Sequence, residues 1–156
     1  MILSNGISGF NAKEEASLLK VDRKEFKSIC YCISTTLSNG KLVEIREHSS
    51  ATNFYQASFS IQDTVTHVLL NAHYPIIAIA SHVAPFSIAF IDSPQLSKEF
   101  SKYYTVICSN ELNEPLRYSG GGFLLDNDNE LDISEIEQVR YWKPKTVGEI
   151  AFNFWD

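Results

Sequence analysis

Ser28 to Glu47 reads SICYCISTTLSNGKLVEIRE, and the way this stretch folds sets the class of the whole chain. SICYCISTTL is rich in β-branched and aromatic residues. SNG at 38–40 supplies a turn in which Gly40 tolerates positive φ, and KLVEIRE sets Leu42, Glu44 and Arg46 against Val43, Ile45 and Glu47. The pattern predicts a β-hairpin. On its first strand Cys30 and Cys32 lie two apart and so share a face, as small buried hydrophobes.

Downstream, FYQASFSI (Phe54–Ile61) alternates Tyr55, Ala57, Phe59 and Ile61 on one face, and THVLLNA follows. Two short apolar runs, YPIIAIAS and FSIAFID, are separated by HVAP and have Pro75 and Pro85 near their starts; they predict strands near the middle of a sheet. SPQLSKEFSKYY carries a cap at Ser93, Pro94 at the first helical position, and Leu96, Phe100 and Tyr103 on one stripe, which predicts a helix; TVIC returns to strand character. Residues 110–129, with Pro115, the triplet Gly120–Gly122 and DNDN, predict a long loop that adds little to the core. Upstream, Asn11 caps a helical run AKEEASLL, and Asp22 caps a short turn DRKEF. Helix, then strands with hairpin-length links, then a few helices: the order predicts an α+β single domain over 1–156, with a mainly antiparallel β-sheet flanked on one side by helices.

A chain of 156 residues, 44% hydrophobic, 12% aromatic and 21% charged, is large and apolar enough to bury one core. The start MILSNGISGFNAKEE has no basic or apolar leader pattern, and no stretch approaches membrane-spanning length, which predicts a cytosolic protein. The charge map is lopsided. Of 19 acids and 13 bases, eight acids and a single base, Arg117, fall between Asn110 and Glu137. That segment carries −7 and the rest of the chain +1. Such a surface excludes nucleic acid and anionic membranes as its partners and suits a basic protein.

No cofactor fingerprint is present. GGG at 120–122 lacks the residues of a phosphate loop. His48, His67, His73 and His82 match no zinc spacing, and strand-end histidines with backbone partners are the simpler expectation. DNDNELDISEIE places Asp126, Asp128, Glu130 and Asp132 at positions 1, 3, 5 and 7 of a calcium loop and Glu137 at 12. Leu131, however, occupies the sixth position, where the turn requires glycine, so a solvated acidic loop leading into a helix is expected instead. A capping box, Asp132 with Glu135 or Ser134 with Glu137, opens that helix, which carries Ile133, Ile136 and Val139. The enzymatic alternative is a small hydrolase built on Cys30 or Cys108 with one of the histidines.

Both tryptophans fall in RYWKPKTVGEIAFNFWD, Arg140–Asp156. Thr146 with Glu149 has capping-box spacing for a helical turn carrying Val147, Ile150, Ala151 and Phe154, although Ile150, Phe152 and Phe154 also alternate as a strand would. Closing the core is the expected use of so many rings, with one tryptophan free to serve a partner surface. The segment WKPKTVGEIAFNFWD, Trp142–Asp156, resembles the C-terminal ends of small bacterial proteins, some associated with immunity to polymorphic toxins. The resemblance implies a cytosolic, non-enzymatic protein that neutralises a toxin by binding it. Together with the charge map it predicts partner-binding residues Glu111, Glu114, Asp126, Asp128, Glu130, Asp132, Glu135 and Glu137, with Trp142 as aromatic anchor. An interaction or structural domain with another partner is the third expectation.

Overall fold

Asp22 opens the described fold as the cap of helix α1 (Arg23–Thr36), its carboxylate accepting from Lys24 N at 2.7 Å and Glu25 N at 3.3 Å. The computed structural model describes residues 1–10 and 21–155, so the helix expected over Ala12–Leu19 lies outside the described residues. α1 overturns the predicted hairpin, because Ser28–Thr36 is helix and not strand. Phe26, Ile29, Cys30, Ile33 and Leu37 recur at helical spacing and are all buried. Burial of that stripe outweighs the β-propensity of the individual residues. The cysteines separate accordingly: Cys30 is buried and Cys32 exposed, since positions two apart on a helix differ by roughly 200°.

The SNG turn forms, with Asn39 at φ 55°, but it joins α1 to strand β1 (Gly40–Arg46). A bulge between Leu42 and Glu44 breaks the expected alternation. Leu42 and Ile45 therefore both pack inward while Val43 is exposed.

β2 (Phe54–Ile61), β3 (Thr64–Asn71), β4 (Ile76–Ala84) and β5 (Ser87–Phe90) continue an antiparallel meander in the order β1-β2-β3-β4-β5. β6 (Thr105–Val106) pairs parallel with Ile76 and Ile77 of β4. β4 is central as expected and runs on through HVA, whereas β5 lies at the sheet edge.

Period-two alternation divides the core between the two faces. Ala57, Phe59, Val68, Leu70, Ile77 and Ile79 meet α1 and helix α2 (Pro94–Phe100), which contributes Leu96 and Phe100. Tyr103 lies past the end of α2 and is exposed. On the other face Phe54, Leu69 and Ala78 meet Leu3, Ile7, Leu112 of α3 (Ser109–Leu112), Val139 of α4 (Ile133–Trp142), and Val147, Ile150 and Ala151 of α5 (Val147–Ala151). Both faces are thus covered, not one. Residues 110–129 also do more than expected: Leu112 and Asn127 are buried, and Gly120–Gly122, all at positive φ, turn the β7 (Tyr118–Ser119)–β8 (Leu124–Leu125) hairpin.

Phe152 and Trp155 close the second core layer, as expected for the terminal rings, while Phe154 packs against its margin. Three buried asparagines hold this closure. The side-chain amides of Asn53 and Asn71 each donate to Ile7 O and Ala151 O at 2.7–3.0 Å. Asn153 donates to Ser8 O at 2.9 Å and Ile150 O at 3.0 Å, and its own N–H reaches Asn53 Oδ1 at 2.8 Å. The N-terminal and C-terminal segments are thereby laced to β2 and β3.

α5 packs so closely that a Cβ built on Gly148 would stand 2.4 Å from the Phe90 ring and 2.8 Å from Leu112 O. The Gly148→Ala variant is expected to lose about 1–3 kcal/mol through overpacking, measured as the drop in urea-unfolding free energy.

Candidate partner-binding surface

The acidic segment resolves into an outward row and an inward set of anchors. Past β8 the chain bends at Asn127 and Asp128, leaving Asp126, Asp128 and Glu130 exposed, Asn127 buried and Asn129 half-buried. The asparagines fix this alternation. Asn127 accepts from Arg117 N at 2.7 Å and donates to Glu114 Oε1 at 3.0 Å and Pro115 O at 3.2 Å. Asn129 donates to Asn127 O at 2.7 Å, and its backbone bridges Leu3 in parallel through Leu3 N to Asp128 O at 3.1 Å and Glu130 N to Leu3 O at 2.8 Å. With the amides turned in, the three carboxylates are left to solvent. Ile2, next to the bridged Leu3, and Ile133, at the start of α4, are exposed as well.

The other predicted acids have internal tasks. Glu111 pairs with the Met1 amino group at 2.8 Å and also accepts from the Cys108 thiol, and these two hydrogen bonds hold its carboxyl below the usual value. Glu114 pairs with Arg117 at 3.4 Å. Asp132 caps α4 in the predicted capping box with Glu135. Glu135 itself is 0% exposed, which corrects its assignment to the partner surface. Its carboxylate accepts from Gly6 N at 2.9 Å, Ser8 N at 3.1 Å, Ser8 Oγ at 2.6 Å and Asp132 N at 3.2 Å. Glu137 is exposed on α4, one turn beyond Ile133.

Trp142 does not join the acids. It ends α4, about 15 Å along the helix from Asp132, where it stacks on Phe86 with ring centroids 5.6 Å apart and donates to Gln138 Oε1 at 3.1 Å. Trp155 serves the core and Trp142 the surface.

The calcium-loop pattern takes a different shape: Asp126 accepts from Ser119 Oγ at 2.6 Å, Asp132 caps a helix, and Asp126, Asp128 and Glu130 point outward. Among the described residues no group of three or more histidines, cysteines and acids is placed to hold a metal ion. Burial pushes the Cys30 thiol up to about 12, and none of the three thiols has a histidine as hydrogen-bond partner among the described residues.

His67, against expectation, sits inside β3 with side-chain partners: its Nδ1 meets Ser58 Oγ at 2.8 Å and the Gln56 amide at 3.2 Å. An amide nitrogen only donates, so Nδ1 accepts and the imidazole ties β3 to β2. Sequence spacing gave no sign of this cluster. No described helix is long and apolar enough to cross a membrane.

Replacing Glu135 by Gln removes the charge and two acceptor sites while keeping the shape. The buried N–H groups of Gly6 and Ser8 lose part of their acceptor, and a loss of roughly 2–3 kcal/mol is expected in chemical unfolding.

Burial, reinforced by Arg46 at His67 and by His48 at His73, holds both imidazoles below the ordinary value of 6.5. The folded protein keeps them neutral. As pH falls through 6.5 the unfolded chain takes up protons first, so stability present above that pH is lost toward the lower native values. Urea midpoints measured at about pH 7.5 and 5.5 should fall in acid, and the His67→Gln/His73→Gln variant should flatten that slope. No family model, curated protein or solved structure matches the chain, so its functional assignment rests on these residues and their geometry.

Proposed function

We propose that the protein is a non-enzymatic protein-binding module, most concretely an immunity-type inhibitor that covers a basic toxin domain with its acidic edge. The observation that carries this is the outward row of Asp126, Asp128 and Glu130, held by inward-turned Asn127 and Asn129. Clustered exposed carboxylates stand in for the phosphates that a nuclease-like basic surface grips, and they steer its approach from a distance. Ile2 and Ile133 beside the row supply the apolar contact that charge alone lacks. Glu137 extends the negative field along α4. Such an inhibitor acts in the cytosol of the cell that makes it, and its acidic edge repels nucleic acid and anionic lipid.

The test is co-purification from the producing cell with the wild type and with Asp126→Asn/Asp128→Asn/Glu130→Gln. A basic protein should be captured, should elute as salt rises from about 50 to 500 mM, and should bind the triple variant more weakly by roughly 1–3 kcal/mol, mostly in association rate. Co-expression with that protein should protect the cell from it. Capture that is indifferent to salt and to the triple substitution overturns the assignment.

A further inference from the structure

A cleft of about 340 Å³ opens beside the C-terminal end of α4, walled by Phe86, Ile88, Trp142, Phe152, Phe154 and Trp155. That volume takes a side chain or two of a bound segment. Three independent features mark it as more than a packing gap.

The first is conformational. Phe86 follows Pro85 in the two-residue turn between β4 and β5, at φ 60°. This is a turn position that favours glycine or asparagine and is strained for a large aromatic. A ring serving the core would be buried in return, yet Phe86 is 68% exposed and lies stacked on Trp142 at the mouth of the cleft. Strain that yields an exposed aromatic points to a contact outside the chain.

The second is charge. Lys143 and Lys145 stand on the rim, and neither has an ion-pair partner among the described residues. Glu149, the one acid among the described lining residues, accepts from Lys145 N at 2.6 Å. Two lysines against one glutamate leave the described rim with a net charge of +1, in contrast to the acidic row at the other end of α4.

The third is the free strand edge. Among the described residues β5 pairs only with β4. Ala84 and Ser87 close the two-residue turn, and His82 faces Ala89. In that register the N–H and C=O of Ile88 point away from β4 in the plane of the sheet, and the same residue lines the cleft. Backbone donors and acceptors in that position bind extended peptides by strand addition.

We propose that this cleft is a docking groove for an extended acidic segment of a protein partner. One aromatic or large aliphatic side chain of the segment enters between Trp142 and Trp155, carboxylates on either side of it meet Lys143 and Lys145, and its backbone runs along β5. Charge complementarity selects an acidic over a basic segment. The groove is a second interface, opposite in sign to the acidic row, and it stands on different residues.

The probe is the peptide acetyl-Asp-Glu-Phe-Glu-Asp-amide. The chain's two tryptophans both line the groove, so intrinsic tryptophan emission reports its occupancy directly. A saturable emission change is expected, weakened about tenfold or more by Lys143→Glu/Lys145→Glu and by raised salt. Phe86→Gly should weaken it too while keeping or raising the melting temperature, because glycine relieves the positive φ. The Asp126→Asn/Asp128→Asn/Glu130→Gln variant should bind the peptide like the wild type, which separates this groove from the acidic row. The proposal is overturned if no saturable change occurs up to about 1 mM, or if a Lys-Lys-Phe-Lys-Lys peptide binds equally. It is also overturned if phenylacetate alone matches the peptide, which assigns the groove to small anions. Concentration-dependent self-association abolished by the lysine substitutions would assign it to a second copy of the chain and overturn it as well.

Discussion

The structure depends on three buried asparagines. Asn53, Asn71 and Asn153 lie where the second face of the sheet meets both chain ends, and their amides join Ile7, Ser8, Ile150 and Ala151 to β2 and β3. A buried amide is costly unless its hydrogen-bonding capacity is used, and a satisfied network fixes one arrangement because every alternative leaves a donor or acceptor orphaned. Glu135 extends the same network from α4 by gripping Gly6 and Ser8. The network holds residues 150–153 against the sheet, and Phe152 and Trp155 are buried there. α4 takes its place from the same anchor, and so do the surfaces at its two ends.

Those ends differ in sign. Asp132 and Glu135 sit in the first turn of α4, and Arg140 and Lys143 at its close, an order that the helix macrodipole favours. The acidic row leads into the N-terminal end and the aromatic cleft adjoins the C-terminal one. One ten-residue helix thus separates two surfaces whose chemistry suits opposite partners.

What could be read from the sequence depended on how local its cause was. Phe54–Ile61 was legible to the residue because its alternation is uninterrupted, and the cap at Asp132 was legible because its partner lies three residues away. Ser28–Thr36 misled because Ile, Cys, Tyr and Thr fit a pleated surface individually, while the helical stripe that decides the matter starts earlier, at Phe26. The bulge at Val43 left no local mark. Glu135 was counted among exposed acids since its donors, Gly6 and Ser8, come from the far end of the chain. The asparagine network was invisible for the same reason: polar residues beside strands do not announce partners about a hundred positions away. Asp126, Asp128 and Glu130 are exposed together because Asn127 and Asn129 take the internal hydrogen bonds, whereas Trp142 is separated from them by the length of α4.

The lacing of both ends into one network also governs how the chain acquires its structure. Asn153 bonds Ser8 across 145 positions and Asn53 across 100, so these contacts demand the closure of very long loops, which slows folding. During synthesis β2 and β3 emerge well before their polar partners exist, and Asn53 and Asn71 wait in water until residues 150–155 arrive. The second core layer is therefore complete only once that segment has been made, and until then the Phe54 and Leu69 face of the sheet lacks the cover of Ile150, Ala151 and Phe152.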